Sequence, residues 1–161
     1  MILFENSVFD KLNKTILSIL THHIIPKYFS MELLNRDNCH KPYMNSSWIV
    51  INNYGDHNGY HTHDGTWLSG SFYIKLPSDN KIQRDYASGP IRFWDPIAVR
   101  KHEMGLYKPR SVIPYFPGEG ELFIFPSWLG HDVASNRTNE DRIVYSFGIP
   151  YLQWEPDKRA K

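Results

Sequence analysis

The stretch from Ser46 to Leu76 reads SSWIVINNYGDHNGYHTHDGTWLSGSFYIKL. Its two ends, Ser47 to Asn53 and Thr66 to Leu76, are runs of aromatic and β-branched residues, and turn residues lie between them. Such runs predict short strands. Working outward, Pro90 to Trp94, Glu121 to Phe125 and Arg142 to Ile149 repeat the texture, separated by long loops at 77–89 and 95–111. The chain before Ser46 reads differently. Val8, Phe9, Leu12, Ile16, Leu17 and Leu20 recur at helical spacing, with Asn6 or Ser7 as the cap. That pattern stops near Thr21 to His23, and a shorter helix follows with Pro26 in its first turn and Met31, Leu33 and Leu34 inside. Helices followed by short strands predict a mainly β domain with the helices packed on a β-sandwich or small barrel, a jelly roll being the expected form.

At 161 residues the size suits one domain, with a helical N-terminal segment (residues 1–45), a jelly-roll core (46–150) and a tail (151–161). In that tail Tyr151 to Trp154 are expected to pack on the barrel, and Lys158 to Lys161 to fray. Aromatic residues make up 15%, in keeping with a β-rich core. The formal net charge of +1 argues against a nucleic-acid binder that relies on a global positive field. No apolar run approaches the ~20 residues of a membrane span. Met1 to Asp10 carries Glu5 and Asp10 and lacks the basic start of a secretory signal. Cys39 is the one cysteine, which excludes an internal disulfide and fits a reducing compartment.

Within the opening stretch, His61 and His63 are two residues apart, so an extended chain turns both imidazoles to one side. Neutral imidazole is the commonest protein ligand for transition metals, and one further ligand would complete a facial triad. The alternative is a pair of surface histidines in a polar turn. The third candidate is His131, just after the apolar run Leu122 to Phe125. A hairpin centred between Asn136 and Arg137 would set His131 opposite Arg142. An arginine there can hold the far carboxylate of a diacid whose other end chelates the metal. The alternative is an edge-strand arginine and a rim histidine. His22 and His23 suit the end of a helix, His57 lies in the loop before the pair, and His40 and His102 have no role.

These residues fall into blocks. They are Ser47-Trp48, Asn52, Gly55, Asn58, His61-x-His63 and Leu68-Ser69-Gly70-x-Phe72-Tyr73; Gly89-Pro90-Ile91-Arg92-Phe93-Trp94-Asp95-Pro96; Pro117-Gly118-x-Gly120 through Phe125-Pro126-Ser127-Trp128-Leu129-x-His131-x-Val133; and Arg142-Ile143-x-x-Ser146-Phe147. In this order they resemble a family of 2-oxoglutarate/Fe(II)-dependent oxygenases, over roughly residues 46 to 148. The resemblance implies a double-stranded β-helix with Fe(II) bound by His61, His63 and His131, and Arg142 on the C5 carboxylate of 2-oxoglutarate. Relatives in the wider superfamily have Asp at the second ligand position. Asp64 follows His63 here and points to the other face of a regular strand, so His63 is favoured, although a bulge would reverse the choice. A ligand set of three histidines lacks the carboxylate's negative charge and weakens the pull on a hard cation. Where many members carry a hydroxyl two residues after the arginine, this chain has Val144. Tyr73 is then the candidate to complete the carboxylate grip, with Ser146 on the face of Arg142, and Asn52 is placed at the C1 carboxylate.

The implied activity couples decarboxylation of 2-oxoglutarate to succinate with C–H oxidation by O2 of an unknown small molecule or peptide, in the manner of a hydroxylase. No separate acid or base is needed beyond the metal ligands. Many family members occur in marine bacteria and their phages, which implies the cytoplasm of a bacterium or phage-infected bacterium. Two rivals stand beside this reading: a three-histidine dioxygenase that does not use 2-oxoglutarate, and a non-catalytic jelly-roll binding module. Between residues 81 and 110, seven cations (Lys81, Arg84, Arg92, Arg100, Lys101, Lys108, Arg110) face three carboxylates, as a solvated loop or a guide for an acidic substrate. Trp67, Trp94 and Trp128 are candidates for pocket or core.

Overall fold

A computed structural model describes residues 7–28, 42–77, 89–97 and 112–150. The elements are α1 (Ser7–Ile19), a π-helical turn (Leu20–Ile24), α2 (Ile25–Tyr28), β1 (Ser46–Asn52), β2 (Asn58–His61), β3 (Leu68–Lys75), β4 (Ile91–Trp94), β5 (Val112–Tyr115), β6 (Leu122–Pro126), β7 (His131–Val133) and β8 (Arg142–Ile149). Two four-stranded antiparallel sheets form, in the orders β1-β8-β3-β6 and β2-β7-β4-β5. The chain crosses between sheets repeatedly, which is the jelly-roll pattern.

Period-two alternation gives the first sheet two faces of different character. On the outer face Leu68, Tyr145, Phe147 and Ile149 pack with Ile16 and Leu20 of the helical segment, and Phe9 stacks on Tyr145 at 5.4 Å. Gly70 lies on this face because a Cβ there would meet the Phe147 ring and the Phe123 carbonyl oxygen. The opposite parity, Trp48, Val50, Arg142, Val144, Ser146 and Ser71, faces the second sheet and lines a cavity with it.

Five strands follow the sequence reading within a residue or two. The short strands β2, β5 and β7 have no counterpart in it. The helix does not stop at Thr21 to His23: the Ile25 amide bonds back to the Leu20 carbonyl, and a wide turn carries the helix on to Tyr28. Pro26 has no N–H and its ring crowds the preceding turn, and a π turn relieves that crowding. The proposed helix interior at Met31, Leu33 and Leu34, the cap Asn6, the tail 151–161 and most of both long loops lie outside the described residues. No helix among the described residues is long and apolar enough to cross a membrane.

The expected hairpin between His131 and Arg142 is corrected. β7 pairs with β2 and β4, whereas β8 pairs with β1 and β3. The intervening segment bonds elsewhere: Gly55 N–H donates to the Asn136 carbonyl at 2.6 Å, Asn136 N–H to Asp56 at 2.9 Å, and Ala134 N–H to Pro90 at 3.0 Å. The two residues therefore belong to opposite sheets and meet across the cavity.

Candidate metal and diacid site

β2 and β7 are paired so that His61 sits directly opposite His131. His63 lies beyond the end of β2, in the turn toward β3. The ring centroids are 4.3 Å apart for His61 and His131, 5.0 Å for His61 and His63, and 5.1 Å for His63 and His131. One ring nitrogen from each lies within 4.8 Å of the others, and this is the metal-capable group found among the described residues. Asp64 is exposed in the turn and does not belong to it.

Two of the rings are oriented by their own backbone. His61 Nδ1–H donates to the Gly59 carbonyl at 2.7 Å, and His131 Nδ1–H to the Leu129 carbonyl at 2.9 Å. A carbonyl only accepts, so this fixes the tautomer and leaves Nε2 with a free lone pair on both. Burial, together with the charges of His131 and His61, pushes the His63 pKa down to about 4. Burial also lowers that of His131, against the Leu129 hydrogen bond. At neutral pH both present the unprotonated imidazole that a metal requires. The donor set therefore suits a borderline transition metal.

On the facing sheet, Arg142 pairs with Asn52 in the β1–β8 register, and its Nη1 donates to Asn52 Oδ1 at 3.2 Å. Asn52 Nδ2 in turn donates to Asn58 Oδ1 at 3.3 Å. The guanidinium carbon lies 5.4 Å from the centre of the Tyr73 ring. Arg142 is 2% exposed and Tyr73 0%, yet Arg142 Nε and the Tyr73 hydroxyl have no hydrogen-bond partner among the described residues. Burial lowers the Arg142 pKa and raises that of Tyr73, and the attraction of each for the other opposes both shifts. A buried cation and a buried hydroxyl with unmade bonds are costly unless an acceptor is supplied, and a carboxylate supplies it. The residues present fit a metal at one end of the cavity and an anionic oxygen donor at the other.

All the candidate residues the sequence offered lie in this region: His61, His63, His131, Arg142 and Ser146 line one cavity, with Asn52 and Tyr73 against Arg142. Sequence reasoning missed Trp48, whose ring is 6.0 Å from that of His63, and Phe125, whose ring is 4.7 Å from that of His131. Strand parity signals both, since Trp48 shares a face with Asn52. Of the other tryptophans, Trp67 packs in the core under α1, Trp94 donates to Asp132 at 3.0 Å, and Trp128 is exposed. Arg92 grips the same Asp132, at 2.6 Å.

Several solved structures share this architecture. A Pseudomonas putida prolyl-4-hydroxylase matches at 13% identity with a TM-score of 0.58, covering 91% of this chain and 68% of that one. An oxidoreductase of the 2OG-Fe(II) oxygenase family from Burkholderia pseudomallei matches at 14% identity, TM-score 0.52, covering 92% and 62%. AviO1 from Streptomyces viridochromogenes Tue57 matches at 11% identity, TM-score 0.51, covering 96% and 62%. The chain thus spans about two thirds of the first protein's length and less of the other two. Likeness at such identity establishes the fold alone. No curated protein matches the sequence. Residues 46–148 match the family described as "Putative 2OG-Fe(II) oxygenase", well over half of the chain and the region that carries every site residue above. With that match, a jelly roll and three gathered imidazoles, the chain belongs to the 2OG-Fe(II) oxygenases, enzymes that work with Fe(II) and 2-oxoglutarate.

Proposed function

We propose that the chain is a hydroxylase, with His61, His63 and His131 holding Fe(II) and with Arg142 and Tyr73 receiving the C5 carboxylate of 2-oxoglutarate. The observation that carries this reading is the opposition of the two half-sites: the three gathered imidazoles on one side of the cavity, and on the other Arg142 Nε and the Tyr73 hydroxyl, which have no hydrogen-bond partner among the described residues. Bound iron supplies O2 activation coupled to decarboxylation of 2-oxoglutarate to succinate, and so oxidises a substrate C–H bond. The chain's own residues bind and orient. Arg142 neutralises the carboxylate in a dry site, where a charge-assisted hydrogen bond is strong. Tyr73 completes the grip in place of the hydroxyl that Val144 does not provide, and Ser146 adds a polar wall. Asn52 braces the guanidinium by accepting from its Nη1. Val50, Ile91, Phe125 and Val133 keep the cavity apolar and restrict water. The substrate is a small molecule or peptide bearing the oxidised C–H bond.

The test is an anaerobic titration of the iron-loaded protein with 2-oxoglutarate, followed by the visible charge-transfer band of the chelate. A saturable band is expected. His131→Ala should abolish it by removing iron, and Arg142→Ala should shift its half-saturation upward by about a hundredfold, or 2.7 kcal/mol, while iron stays bound. Iron bound without a band would overturn the reading in favour of a three-histidine dioxygenase that does not use 2-oxoglutarate.

A further inference from the structure

We infer that Thr66, Ser127 and Ser69 are positioning residues for His63, acting as one buried chain of hydroxyls that ends on its carbonyl. Their exposures are 8%, 1% and 1%. Thr66 Oγ1 donates to Ser127 Oγ at 2.8 Å and to the His63 carbonyl at 3.2 Å, and Ser127 Oγ lies 2.7 Å from Ser69 Oγ. A hydroxyl has one proton to give. Thr66 shares its proton between the two acceptors it faces, the His63 carbonyl and Ser127 Oγ, and Ser69 joins the group through Ser127 Oγ.

His63 needs such a device because it lies past the last residue of β2, outside the ladder that holds His61. Its peptide is held from both sides: the N–H donates to the Ser127 carbonyl at 3.0 Å, and the Thr66 hydroxyl reaches the carbonyl at 3.2 Å. Ser127 is tied to the same turn a third time, through its N–H to the Trp67 carbonyl at 3.0 Å. Two residues on, the Leu129 carbonyl orients the His131 ring. The turn that holds Ser127 and Leu129 is thus a common reference for two imidazoles, one in the turn after β2 and one at the start of β7. Partners of this kind commonly change metal affinity by about 10–100-fold when removed.

The inference rests on the reading that His63 is a ligand, and the experiment separates the two. Metal-free protein is titrated with Co(II), whose visible absorption reports both affinity and ligand geometry. Thr66→Val keeps the shape and loses the proton; Thr66→Ser keeps the proton. We expect T66V and Ser127→Ala to weaken Co(II) binding about 10–100-fold and to alter the spectrum. Ser69→Ala should do less, and T66S should bind within about threefold of the parent. T66V with the parent's affinity and spectrum, or T66S as weak as T66V, would overturn the proposal. Should T66V fail to fold, S127A and S69A decide: parental binding by both overturns it. His63→Ala with undiminished Co(II) binding would instead bring down the ligand assignment, whereas a weakened H63A beside an unchanged T66V brings down only the hydroxyl chain.

Discussion

Asn52 and Arg142 are register partners in the β1–β8 ladder, and the arginine's Nη1 donates to the asparagine's Oδ1 at 3.2 Å. The bond is neutral on the asparagine side, so Arg142 keeps its charge for a ligand. Asn52→Asp changes this with almost no change of shape, because a fixed carboxylate then competes for the guanidinium. The 2-oxoglutarate concentration at half-saturation should rise at least ~10-fold while Fe(II) affinity holds, and the anaerobic titration described above reads both. An unchanged half-saturation would show that Arg142 does not receive the cosubstrate.

Asn136 is 1% exposed and uses its whole side-chain amide. Nδ2 donates to the carbonyls of Asn52 at 3.0 Å and Glu140 at 2.8 Å, and Oδ1 accepts from Thr138 N–H at 3.0 Å and from its hydroxyl at 2.7 Å. Asn136→Ala strands several of these groups in a dry place. It should cost about 2–4 kcal/mol in urea unfolding. A loss below ~0.5 kcal/mol would mean that water replaces the amide.

Gly70 is fixed by close approach and not by its backbone angles. A Cβ there would run into the Phe147 ring and stand 2.7 Å from the Phe123 carbonyl oxygen, which cannot swing aside without breaking the β3–β6 pairing. Gly70→Ala should destabilise by about 1–3 kcal/mol, visible as a lower melting temperature. A parental melting temperature would show that the sheet yields there.

The pKa of His63 sets a pH dependence for the metal-free protein. The folded value is about 4, against 6.5 for the ordinary side chain. Between these limits the unfolded chain binds a proton that the folded chain refuses. Unfolding is therefore favoured progressively as pH falls from 6.5 toward 4, with no contribution above that window. The lowered pKa of His131 acts with the same sign. Urea midpoints of metal-free protein should fall across this range, and His63→Gln should flatten the decline. A profile as steep in the variant as in the parent would contradict the assignment.

The long strands were legible because seven or eight residues show alternation unambiguously, as Leu68–Lys75 and Arg142–Ile149 do. β4 has only four residues as well, but Ile91-Arg92-Phe93-Trp94 is dense in strand formers, whereas β2 opens on Asn58-Gly59, β5 carries Pro114 and β7 has three residues with Asp132 at its centre. The site residues were legible as chemistry, His-x-His with a distant His and Arg, and their grouping followed. The path between them was not. The polar segment after Val133 has the composition of a hairpin turn, but its backbone groups bond to Asp56, Gly55 and Pro90, and those partners are remote in sequence. The order Thr66–Ser127–Ser69 was hidden for the same reason, since three scattered hydroxyls carry no pattern until the fold collects them.

β8 alternates between two duties, with Arg142, Val144 and Ser146 toward the cavity and Tyr145, Phe147 and Ile149 under α1, the last three 0% exposed. That helix lies outside the matched family segment 46–148, yet it is the backing plate against which the arginine's strand is pressed. The catalytic half of the chain is consequently not a portable module. Cut free at Ser46, it would present a greasy wall to water, and the grip on the diacid would be lost together with the fold rather than after it.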